Sequence, residues 1–164
     1  KNAMNKLIIV MAFCSFGGMA QAQSVLPQEH INAVACLENM SASTTWNQCL
    51  GLIFAPCSGS EIASEAHLSC LQVQRKGWTG SMQLLQSEVT EMITLKSVED
   101  LTKILGGWIN YVSQKCQVDV DNTENPAAKA KELGCQITET AGLTGEYAAC
   151  LEGRSTAEYC VLKD

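Results

Sequence analysis

Residues 68–92 read LSCLQVQRKGWTGSMQLLQSEVTEM, and the spacing of their apolar side chains decides the fold class. Leu71, Trp78, Leu85 and Met92 recur every seven residues, with Met82 and Val89 four after Trp78 and Leu85, so one apolar stripe runs down a long helix. Strict alternation, the signature of a strand, is absent. The pattern predicts a helix over 61–95, opened by a capping box of Ser58 and Glu61. Gly77 and Gly80 lie inside it, each about 1 kcal/mol less favourable than alanine in a helix, so packing must outweigh them.

Outward from this stretch the same periodicity continues. A second helix is expected from Ser97 as N-cap, with Glu99 and Asp100 in its first turn, through Leu101, Ile104, Leu105, Trp108 and Val112 to Cys116. After a polar connection over 117–126, Asn125-Pro126 supplies an N-cap and a pre-set first turn. Ala130, Leu133, Ile137, Ala141 and Ala148 then carry a third helix. Upstream, Pro27 to Met40 and Ser43 to Ala55 read as two short helices. The expectation is an all-α bundle of about five helices with no internal repeat. Trp46, Trp78 and Trp108 stand at helical spacing among aliphatic residues and are expected in its core.

The first 22 residues read differently. Met4-Asn5-Lys6 is a short basic start, Leu7 to Phe16 is apolar, and Ala20-Gln21-Ala22 has the small-x-small pattern of a signal-peptidase site, so cleavage is expected after Ala22. The apolar run is about half the roughly 20 residues of a membrane span. Lys1-Asn2-Ala3 precede the expected initiator Met4 and are set aside as a cloning remnant or an upstream start. Cys14 follows Phe13, where a lipoprotein needs a small residue. Export as a periplasmic or secreted protein is therefore the expectation.

Removing residues 1–22 leaves 142 residues with 9 Lys plus Arg against 17 Asp plus Glu, a net charge near −8. It also leaves eight cysteines: Cys36, Cys49, Cys57, Cys70, Cys116, Cys135, Cys150 and Cys160. An even number in an oxidising compartment implies four disulfides. Zinc is disfavoured, because no CxxC pair exists and the only histidines are His30 and His67. Eight cysteines allow 105 pairings, and proximity along the chain favours Cys36 with Cys49, Cys57 with Cys70, Cys116 with Cys135, and Cys150 with Cys160. The third of these closes the polar connection of 117–126.

The run Trp108-Ile109-Asn110-Tyr111, followed by Cys116, Gly134-Cys135 and Thr140-Ala141, resembles the signature of the LprI-like lysozyme inhibitor family. Upstream, Cys57, Cys70-Leu71 and Trp78 are similar to the first half of that domain, so the likeness spans about 57–150. The resemblance implies an exported, cysteine-bearing helical domain whose namesake inhibits lysozyme, with Trp78, Trp108 and Tyr111 as motif residues. It also implies the Cys57–Cys70 and Cys116–Cys135 pairs. At the family's polar positions this chain carries Gln74, Thr79, Gln83, Gln86, Leu105, Gly106, Val112, Ser113 and Leu143 instead. The expected organisation is a signal segment over 1–22, a helical hairpin over 23–56, the family-like domain over 57–150, and a tail over 151–164 tied by a disulfide.

No nucleophile elbow, phosphate loop, dinucleotide fingerprint or HExxH occurs. His30 and His67 read as ordinary, partly exposed residues. Asp119, Asp121 and Glu124 lack the glycine and closing glutamate of a calcium loop, so neither metal nor cofactor is expected. Strong negative charge repels nucleic acid and anionic lipid and steers the protein towards cationic partners. The expected function is a non-enzymatic, monomeric binding protein that blocks a cationic muramidase such as lysozyme through Asp119, Asp121 and Glu124. The alternative is a structural or adaptor domain that binds another envelope protein.

Overall fold

The structure, a computed structural model, describes residues 26–39, 46–117 and 124–163. Five helices make up the fold: α1 (Gln28–Glu38), α2 (Trp46–Phe54), α3 (Glu65–Met92), α4 (Leu95–Cys116) and α5 (Pro126–Leu151), with a 3₁₀ turn over Ala55–Cys57 after α2. Among the described residues no strand forms; a lone antiparallel bridge joins Ile93 to Leu162. The chain is an all-α bundle stapled by disulfides. No helix among the described residues is long and apolar enough to cross a membrane. The signal-like segment over 1–22 lies outside the described residues, as do Met40, Ser43 and the side chain of Trp46.

Two helices start later or earlier than their sequence suggests. Ser58 does not cap α3: it ends the 3₁₀ turn, its hydroxyl donating to the Ala55 carbonyl at 2.8 Å. The N-cap is Ser64, whose Oγ accepts from the His67 N–H at 3.1 Å, while His67 Nδ1 accepts from the Ala63 N–H at 3.1 Å. This resembles a capping box with histidine in the place of glutamate, its return bond made to the residue before the cap, while the Ser64 N–H donates to the Glu61 carbonyl. Ala63 enters it at φ 63°, a left-handed conformation that an alanine adopts only where its surroundings enforce it. For α4 the cap is Thr94, two residues after α3 ends. Ser97, expected as the cap, is buried in the first turn with its hydroxyl 2.9 Å from that of Thr94. Asn125 does cap α5, its Oδ1 accepting from the Ala127 N–H at 2.9 Å ahead of Pro126.

Helix α5 is the axis of the bundle and packs against α1, α2, α3 and α4, most extensively against α3. Its buried positions go most of the way round the helix, and two of them are threonines. Thr140 and Thr144 donate their hydroxyls to the carbonyls of Gln136 and Thr140 at 2.8 and 2.7 Å, so neither adds an unpaired polar group to the core. Close approach sets the crossing with α1, because a Cβ on Gly145 would overlap the side chain of Leu37. Leu71, Trp78, Leu85 and Val89 of the predicted stripe are all buried, whereas Met92 at its end is exposed. Ala33, Val34, Leu37 and Ile53 of the α1–α2 hairpin join the same core.

Four disulfides form: Cys36–Cys49, Cys57–Cys70, Cys116–Cys135 and Cys150–Cys160, with sequence separations of 13, 13, 19 and 10. All four are the near-neighbour pairs. Past α5 the chain doubles back as a strap. Arg154 donates to the Glu38 carbonyl and to Asn39 Oδ1 at 2.9 and 2.8 Å and pairs with the Glu38 carboxylate at 2.9 Å, placing a cation at the C-terminus of α1. Farther on, the Val161 carbonyl accepts from the Thr94 N–H at 2.9 Å and the Lys163 N–H donates to the Met92 carbonyl at 2.8 Å, fastening the strap to the α3–α4 corner.

Candidate functional site

The end of the bundle where α4 passes to α5 carries the residues expected to bind. Cys116 is the last residue of α4 and Cys135 lies in α5, so their bond closes the connection at its base. Of the three acidic residues expected there, Glu124 is exposed immediately before the Asn125 cap; Asp119 and Asp121 lie outside the described residues. One turn from the bridge, Lys115 meets Glu139 at 2.6 Å and lies 5.2 Å from the centre of the Tyr111 ring. Glu139 foremost, and then Tyr111, hold the Lys115 ammonium above the ordinary lysine range.

The three motif aromatics divide by burial. Trp78 is fully buried, as expected for core. Trp108 is only half-buried and Tyr111 is 51% exposed, because both turn towards the flanks of α4. Trp108 forms one wall of a shallow groove of about 220 Å³ with Glu139, Gly142, Leu143 and Glu146 of α5. Gly142 and Glu146 also line the next groove, of about 520 Å³, which reaches Glu38 and Arg154. Glu139, paired with Lys115, and Glu146 thus lie along one groove on the side of α5. Sequence reading missed Glu139 and Glu146. Their signal was the spacing Glu139, Gly142, Glu146 on one side of α5, with the glycine leaving room beside the indole.

His30 departs from expectation. It is 1% exposed, where a partly exposed residue was expected, and it stacks on Trp78 with ring centres 4.1 Å apart and planes 10° from parallel. The cause lies across the interface in α3: Gly77 has no Cβ, and one placed there would come within 3.0 Å of His30 Cε1. His30 Nδ1 shares a hydrogen bond with Ser81 Oγ at 2.8 Å, and Glu29 lies 3.8 Å from Nε2. Burial lowers the pKa of the ring; Gln74 and then Glu29 oppose it more weakly. Hydroxyl and imidazole thus meet in the interior, with the half-exposed Glu29 carboxylate beside them. Ser81 is 2% exposed, which leaves its Oγ no route to a substrate.

Among the described residues no group of three or more histidine, cysteine, aspartate or glutamate side chains is assembled to hold a metal. What the described part of the α4–α5 end offers a partner is the exposed Glu124 on a connection closed by a disulfide, with the Trp108 groove farther along the α4–α5 flank. No protein-family model, no curated protein and no solved structure matches the chain.

Proposed function

We propose that the chain is an exported, non-enzymatic binding protein of the lysozyme-inhibitor type, acting on a cationic muramidase outside the cytoplasm. The observation that carries this reading is the Cys116–Cys135 bridge at the base of an acidic connection. A loop closed at its base loses less conformational freedom on binding than an open one, so more of the contact energy is left for affinity. Glu124 is exposed at the loop, and with Asp119 and Asp121 of the same connection it supplies the charge that a basic glycan cleft would meet. The excess of 17 acidic over 11 basic side chains favours encounter with a cationic protein over long range. Four disulfides fit a protein matured in an oxidising compartment, periplasmic or secreted.

The test is titration of the oxidised protein into a cell-wall lysis assay with a cationic lysozyme. Lysis is expected to slow with added protein and to recover at high salt, because surface attraction is screened within about 10 Å at roughly 0.1 M ionic strength. Replacing Asp119, Asp121 and Glu124 together by their amides is expected to weaken inhibition without changing the helical signal. Undiminished lysis at saturating protein would refute the reading.

A further inference from the structure

Of the charged residues that line the two grooves beside α5, all but one have a counter-charge. Glu139 is held by Lys115 at 2.6 Å, and Arg154 is shared by Glu38 and Glu152 at 2.9 and 2.7 Å. Glu146, which lines both grooves, is exposed and makes no ion pair among the described residues. Two buried phenols lie within reach of its charge and neither neutralises it. The Tyr147 and Tyr159 hydroxyls have no hydrogen-bond partner, and burial foremost, then Glu146, raises the pKa of both, so they stay protonated. The negative centre of the groove is therefore left without compensation from inside the chain.

What shares the groove sets Glu146 apart from other unpaired surface carboxylates. Trp108, half-buried, forms one wall, while Gly142 and the 8% exposed Leu143 add apolar lining. These are the features that recognise an alkyl cation: the indole ring attracts the charge, the apolar lining takes the methylenes, and the carboxylate pairs with the head. A space of about 220 Å³ suits one long side chain. A guanidinium fits better than an ammonium, since it is planar, weakly hydrated, stacks on aromatic faces and meets a carboxylate at two points. We infer that the groove between Trp108 and Glu146 seats an arginine side chain of a cationic partner protein. The inference rests on the reading of the partner as a cationic protein, but it uses none of the residues of the acidic connection.

The test follows the Trp108 indole N–H by NMR while the oxidised protein is titrated with acetyl-Gly-Arg-Gly-amide. In parallel it is titrated with the same peptide carrying citrulline, which keeps the shape of arginine without its charge. The arginine peptide is expected to shift the signal saturably in the millimolar range, and the citrulline peptide to bind at least about fivefold more weakly. Glu146→Gln is expected to bring the arginine peptide down to the citrulline level. Glu65→Gln removes the same charge at the start of α3, outside the groove, and should change affinity by less than about twofold. Both positions are exposed, so both variants should fold, and an unchanged helical signal checks that. Equal binding of the two peptides overturns the inference. So does equal weakening in the two variants, which would mean long-range attraction alone. Undiminished lysis with arginine-peptide binding intact would remove the inhibitor reading and leave the groove standing; inhibited lysis without peptide binding would do the reverse.

Discussion

Glycine plays opposite parts in two regions of this molecule. Where α1 crosses α3 and α5, Gly77 admits the His30 ring and Gly145 admits Leu37, so each missing Cβ is filled by a neighbour. In the middle of α4, Gly106 and Gly107 face open space. The first region is sealed, with Trp78, His30 and Ser81 all nearly inaccessible. The second leaves Ile104, Ile109 and Tyr111 partly exposed. The cost of glycine is therefore offset by packing in one place and uncompensated inside the chain in the other, and substitution should separate the two cases.

The largest effect is expected at the centre of the sealed region. Trp78→Ala removes a fully buried ring and the surface against which His30 lies, and should destabilise the fold by about 3–5 kcal/mol in urea unfolding. Next comes Gly145→Ala. Its methyl group overlaps Leu37, so the helix-propensity gain is overrun and a net loss of about 1–3 kcal/mol is expected from the same measurement. A gain in stability there would show that α1 yields easily and that the crossing is not tight.

Protonation probes the same region through a single group. Burial holds His30 in its neutral form, so the unfolded chain takes up this proton at a higher pH than the folded one. Stability from this group is complete above the ordinary histidine value of 6.5 and drains as pH falls from there towards the lowered folded value. An imidazole titration followed by NMR should place the His30 midpoint below 6.5; a midpoint above that value would mean that Glu29 and Gln74 outweigh burial. The smallest effect has the opposite sign. Gly106→Ala in α4 meets nothing and should stabilise the protein by about 0.5–1 kcal/mol.

What could be read from the sequence divides along the same line. Apolar spacing located all five helices, and the Asn125-Pro126 start of α5 was legible because proline restricts where a helix can begin. Near-neighbour cysteines were legible because helices joined by short connections must lie side by side. The starts of α3 and α4 were not, because several hydroxyl side chains compete near each: Ser58 against Ser64, and Ser97 against Thr94. The winner is set by the left-handed Ala63 in one case and by the strap bonded to Thr94 in the other. The burial of His30 depends on a glycine 47 positions along the chain, a coincidence in space that leaves no local trace. At the candidate site, Glu124 was visible as part of an acidic run, but Glu139 and Glu146 were hidden among the ordinary charges of an amphipathic helix. Only the position of Trp108 across the groove distinguishes them.

The disulfides span only 10 to 19 positions each, and none joins α1 to α5 or α3 to α5. Pulled from its two ends, the protein would thus come apart by peeling α1 and α3 off the α5 axis, while four small loops of chain kept their slack locked away until a reductant was added. Mechanical toughness and resistance to chain extension are separate properties here: sulfur supplies the second, and the first rests on packing alone.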